Sequence, residues 1–168
     1  MRLRTTGILA IALLLTGLSA SRMGYAGTEA PAAPAFDIVT LQGDSYSRDS
    51  LKGQPALLIF WAPWCQVCQR ELPELAKFYQ NDKRKALRLL SIGFADLRTN
   101  VESFVKARSE IFVFPTSYDE DRWLAQAFKV NATPTYVALD ANGRIVLTHR
   151  GGGVLQNPQF RWLLSTIH

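Results

Sequence analysis

The sequence predicts an α/β fold with a central mixed β-sheet flanked by helices, and three observations carry that prediction. Two continuous apolar runs of strand length, "ALLIFW" (Ala56 to Trp61) and "ALRLLSIGF" (Ala86 to Phe94), read as strands buried on both faces. A helical pattern lies between them, which makes a βαβ unit. Near the C-terminus, "PTYVAL" and "RIVLTH" flank "DANG" (Asp140 to Gly143), a hairpin with Asn142-Gly143 at its turn.

In chain order, the N-terminus comes first. Arg2 and Arg4 precede an apolar segment of 11 residues, Ile8 to Leu18, followed by small and polar residues up to Ala26. A spanning helix needs roughly 20 apolar residues, so residues 1–26 read as a secretory signal peptide. Cleavage is expected after Ala26 or after Ala20, and an uncleaved N-terminal anchor is the competing reading. Either way the folded part lies outside the cytoplasm. Removing 26 of the 168 residues leaves 142, a comfortable single domain. It also removes Arg2, Arg4 and Arg22, which lowers the net charge from +5 to +2. Near balance, and with "NDKRKALR" (Asn81 to Arg88) too short to be more than a solvated helix end, the chain offers no phosphate-tracking patch. Nucleic acid is not an expected partner.

Residues 27–35, "GTEAPAAPA", are Pro/Ala-rich and read as a flexible lead-in to a folded domain over 36–168. Phe36 to Leu41 alternates weakly before Gly43, as a short strand and turn do. "SRDSLKGQPA" (Ser47 to Ala56) has turn chemistry. After the first buried run, Val67, Leu72, Leu75 and Phe78 or Tyr79 fall on one helical face, with Pro73 expected to kink the helix. Val101, Phe104 and Val105 mark a second helix over Arg98 to Arg108, with Thr99 or Asn100 available as cap. "IFVFPTSYD" is a short apolar segment ending in Pro115, and Glu120 to Phe128 is a short helix with Asp119 near its start. Past the hairpin, Gly151 to Gly153 fit a bulge or a close approach. Asn157 is a natural N-cap with Pro158 at N1, and Phe160, Leu163 and Leu164 form the stripe of a last helix. The predicted order is β, β, α, β, α, α, β, β, α. Trp61, Trp123 and Trp162 read as packing residues.

Cys65 and Cys68, in "FWAPWCQVCQRELPEL", are the only cysteines of the chain. A bridge between them would close too small a loop to act as a staple. Two thiolates are half of what structural zinc requires, and His149 and His168 lie far along the chain. Redox chemistry fits better. A thiol at a helix start meets unpaired N–H groups and the positive end of the macrodipole, which favour thiolate. A second thiol one turn later can resolve a mixed disulfide. A strand, C-x-x-C and a helix within a βαβ unit make this a specific context. No metal or other cofactor is called for.

"FWAPWCQVC" resembles the active site of the thioredoxin superfamily. The chain is similar, from about Phe36 onward, to the extracytoplasmic TlpA/ResA/DsbE-like thiol-disulfide oxidoreductases. The similarity is carried by "SLKGQPALLIFWAPWC", "ELPEL", "VNATPTYVALDANGRIV" and the glycines that follow. It implies a thioredoxin-like fold and a periplasmic enzyme that exchanges disulfides with protein substrates. Cys65 would be the nucleophile and Cys68 the resolving thiol, forming the redox-active disulfide. Glu71 would be an acid that acts near the thiols, and Trp64 would pack beside the exposed sulfur. Thr133-Pro134 would be a cis-proline site presenting backbone to an extended substrate. The implied partners are periplasmic protein thiols or disulfides, apocytochrome c among the candidate clients, and a membrane electron-transfer partner for recycling.

Two departures stand out. Ile59 occupies the place of the buried acid of thioredoxin proper, and the dipeptide between the cysteines is Gln66-Val67, with neither proline nor histidine. The missing histidine leans the reading towards a reductase. A peroxiredoxin-like peroxidase would want threonine or serine three residues before the reactive cysteine, where Ala62 stands. A copper-binding Sco-like module would need a wider cysteine spacing and a downstream histidine ligand. A redox-inert adaptor would not need both cysteines.

Overall fold

Every residue of β3 (Ala56–Trp61) is buried, and a sheet extends from it on both sides. The structure, a computed structural model, describes residues 29–82 and 86–167. On one side of β3, β4 (Arg88–Gly93) and then β5 (Thr116–Tyr118) run parallel to it. On the other, β6 (Thr135–Leu139) and β7 (Ile145–Arg150) form the antiparallel hairpin. Among the described residues the sheet therefore has five strands in the order β5-β4-β3-β6-β7, the mixed architecture that the two apolar runs and the hairpin predict.

Alternation along β3 divides the core. Leu57, Ile59 and Trp61 face α1 (Gln66–Asn81), α2 (Arg98–Ala107) and α4 (Pro158–Ser165). Ala56, Leu58 and Phe60 face Phe36, Leu51 and α3 (Trp123–Ala127). Trp61 is wholly buried as expected. Its ring packs on Phe104 and Phe112, with centroids 5.5 and 4.9 Å away, and its Nε1–H donates to Ser91 Oγ at 2.7 Å. Helix α1 buries Cys68, Leu72, Leu75 and Ala76 and continues through Pro73. Helix α4 starts as predicted, with Asn157 Oδ1 accepting the N–H groups of Gln159 and Phe160.

Several local readings need correction. Ser45–Ser47 forms β2, which pairs antiparallel with β1 (Asp37–Val39), and β5 begins only after Pro115. These three-residue strands carry no periodicity of their own and exist through their partners. Helix α2 has Leu97 at its N-cap and neither Thr99 nor Asn100. The carboxylate of Asp96 accepts from the Leu97 N–H and from Asn100 Nδ2. The helix expected over Glu120 to Phe128 is split: Asp121 and Arg122 take positive φ (54° and 59°), so a 3-10 turn precedes α3. Asp119 is buried and serves α3 from before that break, accepting from the N–H groups of Leu124 and Ala125. Trp123 and Trp162 are 42% and 64% exposed, so packing is not their main use.

The Pro/Ala-rich lead-in is not loose over its described part. Ala32 bridges Arg144, Ala33 donates to Gly143 O, and Pro31 O accepts from the Ile145 N–H. The expected signal peptide over 1–26, and residues 83–85 within the charge run, lie outside the described residues.

Candidate active site

The carboxyl end of β3 delivers the chain through Ala62-Pro63-Trp64 to Cys65, which is the N-cap of α1. Its φ and ψ of −77° and 103° are extended, as an N-cap requires, and its Sγ accepts the Cys68 N–H at 3.1 Å. Cys65 and Cys68 are joined in a disulfide with their Cα atoms 5.2 Å apart. Cys65 is 5% exposed and Cys68 is 1% exposed, so the first cysteine is the less deeply buried of the two. In the reduced state the same amide, aided by the helix dipole, stabilises negative charge on Cys65.

Glu71 sits one turn beyond Cys68, half-buried, and its carboxylate points at the glycine triplet. Oε2 accepts the Gly153 N–H at 2.7 Å. A Cβ on Gly152 would stand 2.9 Å from Oε1 and 3.3 Å from Val67 Cγ1, so position 152 admits only glycine without displacement. Gly153 has φ +85°, the left-handed conformation that glycine tolerates. The close approach expected of the triplet is thus made to Glu71. The Gly151 N–H in turn donates to Pro134 O at 2.9 Å, tying the triplet to the Thr133-Pro134 loop. Below it lies Tyr136, fully buried, whose hydroxyl is held well above its ordinary pKa by burial first and the Glu71 charge second.

Thr133-Pro134 is a cis peptide. The register pairs Phe60 with Thr135, so this peptide lies beside the exit of β3 that leads to the cysteines. The other strands that run parallel to β3 end at the same edge. Trp64 is 60% exposed, with its Nε1–H anchored on Ala95 O at 3.1 Å. Leu97, 68% exposed, follows the end of β4, and Trp123 follows the end of β5. By strand direction, these three exposed apolar side chains belong to segments that leave the sheet at the end where the disulfide lies.

The structure thus brings Cys65, Cys68, Glu71, Trp64, Thr133 and Pro134 to one end of the sheet. Sequence reasoning missed Leu97 and Trp123 at this end. It also missed His149, which lies opposite Tyr136 in the β6–β7 register and touches the glycine triplet. The available signal for His149 was only its nearness in sequence to the triplet, from which Arg150 alone separates it. Among the described residues, no three His, Cys, Asp or Glu side chains come together as a metal-holding group.

Comparison with known proteins agrees with this geometry. The sequence profile of the AhpC/TSA family matches residues 30–148. The sporulation thiol-disulfide oxidoreductase A of Bacillus subtilis is 33% identical over 153 residues, covering 88% of this chain and 91% of that protein. The thiol-disulfide oxidoreductase ResA of the same organism is 28% identical over 145 residues, covering 84% of this chain and 80% of that protein. The crystal structure of StoA from Bacillus subtilis superposes with a TM-score of 0.65 at 30% identity, over 73% of this chain and 92% of that one.

Proposed function

The chain belongs to the AhpC/TSA family and has the thioredoxin-like fold of the thiol-disulfide oxidoreductases, and from that premise we propose that it exchanges disulfides with other proteins in the periplasm, in the reducing direction. The observation that carries this reading is the Cys65–Cys68 disulfide with its first sulfur at the N-cap of α1.

In the reducing direction, the Cys65 thiolate attacks one sulfur of a client disulfide. The Cys65–client bond forms, the client S–S bond breaks, and the other client sulfur leaves as a thiolate that takes a proton. Cys68 then loses its proton and attacks the Cys65 sulfur, which closes the intramolecular disulfide and frees the second client thiol. Two electrons pass to the client, so the oxidised protein needs two back, and a membrane electron-transfer partner is the proposed source. Trp64, Leu97 and Trp123 cover the client's apolar flanks, and Thr133-Pro134 pairs with its extended backbone. Glu71 tunes the thiols, because a carboxylate close to a developing thiolate opposes it. The reducing direction rests on Gln66-Val67, which places no histidine between the cysteines, and the periplasmic location on the leader over residues 1–26.

Equilibration of the purified protein with glutathione redox buffers tests the direction. A couple more reducing than glutathione is expected, and one more oxidising overturns the reductase assignment. N-terminal sequencing of the exported protein tests the location. A start at Gly27 or Ser21 is expected, and a cytoplasmic product that retains Met1 overturns it.

A further inference from the structure

One peptide group lies between two side chains of opposite character. The Gly152–Gly153 peptide gives its N–H to Glu71 Oε2 at 2.7 Å, and its carbonyl oxygen is 2.9 Å from His149 Nε2. We propose that His149 is the positioning residue for Glu71, holding the carboxylate beside the cysteine pair through this single peptide. The proposal rests on the reading of Glu71 as the acid that tunes the thiols.

The hydrogen-bond roles follow from the neighbours. Asn157 Oδ1 is occupied as the N-cap of α4, accepting from Gln159 and Phe160 at 2.9 and 3.2 Å. That fixes the Asn157 amide and turns its Nδ2 towards His149 Nδ1, 3.3 Å away. Nδ1 therefore accepts, and Nε2 carries the proton and donates it to Gly152 O. Donation to the carbonyl polarises the peptide and makes its N–H a stronger donor to Glu71. The ring is fixed from below by Tyr136, its cross-strand partner, with ring centroids 5.9 Å apart.

The peptide needs this anchor. Gly151 and Gly153 both have φ +85°, and a triplet of glycines has much conformational freedom to lose when it is held in one geometry. Among the described residues, Glu71 from α1 is hydrogen-bonded to the turn, Tyr136 from β6 lies against the His149 ring, and Arg150 leads into the triplet. Without the imidazole, the 152–153 peptide can rotate, Glu71 loses its N–H donor, and its carboxylate swings away from the cysteines. His149 thus acts on the thiols only through Glu71.

The test compares H149F, H149Q, E71Q and the double variant H149F/E71Q. Phenylalanine keeps the ring on Tyr136 and leaves the Asn157 cap intact, and glutamine restores a donor for Gly152 O. Two quantities are read: the midpoint of the pH profile for iodoacetamide alkylation of the reduced protein, and the Gly153 amide proton resonance. H149F is expected to lower the midpoint in the same direction as E71Q, by on the order of half a pH unit. It is also expected to move the Gly153 resonance upfield, with H149Q close to wild type in both. H149F/E71Q is expected to match E71Q alone. A midpoint shift in H149F that adds to that of E71Q overturns the proposal, as does no shift in H149F where E71Q shifts. If E71Q itself shifts nothing, the reading of Glu71 as tuner fails, and the Gly153 resonance decides the positioning: movement in H149F supports it, and an unmoved resonance overturns it.

Discussion

The sulfur of Cys65 accepts the backbone N–H of Cys68 at 3.1 Å, so the start of α1 serves the first thiol of the pair. Replacing Cys68 by Ser is therefore expected to accumulate mixed disulfides through Cys65, seen as thiol-sensitive adducts on non-reducing gels and mapped by mass spectrometry. Cys65→Ser should give none. Adducts formed by Cys65→Ser in place of Cys68→Ser would reverse the assigned roles.

Glu71→Gln keeps a side-chain oxygen for the Gly153 N–H and removes the charge. The fold should stand, while the midpoint of thiol alkylation in the reduced protein drops by about a unit or less. An unchanged profile would make Glu71 a structural acceptor only.

How much of this site was legible beforehand depends on the kind of signal. The buried strands, the C-x-x-C and its helix announce themselves because apolar runs and helical periodicity are local. Asn157-Pro158 did so too, since a cap is read from the adjacent residues alone. The three-residue strands did not, because β5 is defined by pairing with β4 and by the Thr40–Ser117 bridge. Asp119 was seen near a helix start, but the kink at Asp121-Arg122 that separates it from α3 is a tertiary matter. His149 lies far along the chain from the cysteines, and nothing local ties it to Glu71, 78 positions earlier, so its place against the glycine triplet is a tertiary matter.

Trp61 Nε1 and Ser91 Oγ form a hydrogen bond in the dry interior of the sheet. Ser91→Ala leaves the indole N–H buried without a partner and should cost about 1–3 kcal/mol. Urea unfolding measures this, and a change within 0.5 kcal/mol, roughly the scatter of a neutral surface substitution, would show that the indole finds another acceptor.

Burial raises the pKa of Asp119, against the opposing pull of the Ala125 and Leu124 N–H groups and the Arg122 charge. For an acid raised on folding, the stabilising contribution is fully present below its unfolded value near 3.8 and is lost as pH rises through the folded value. Asp119→Asn abolishes that titration and turns an amide N–H2 towards a backbone donor, for a loss of about 1 kcal/mol at pH 7. The stability gap between wild type and Asp119→Asn should therefore widen on acidification from pH 7 to pH 4. A gap that narrows over this range would mean that hydrogen bonding outweighs burial at Asp119.

The pinning of residues 31–33 onto the β6–β7 turn also fixes where the chain enters the domain. The turn at Asp140 to Gly143 lies at the opposite end of the sheet from Cys65, because Leu139 pairs with Ala56, the first residue of β3, while Thr135 pairs with Phe60 near its end. Six residues of strand separate the two ends by about 20 Å. Anything attached ahead of Glu29 thus joins the domain at its rear pole. On a tether to a surface, the sulfur pair would point outward, and a partner embedded in that same surface could reach it only if the domain turned over. The length of chain before Glu29 would then set how freely the protein alternates between its source of electrons and its clients.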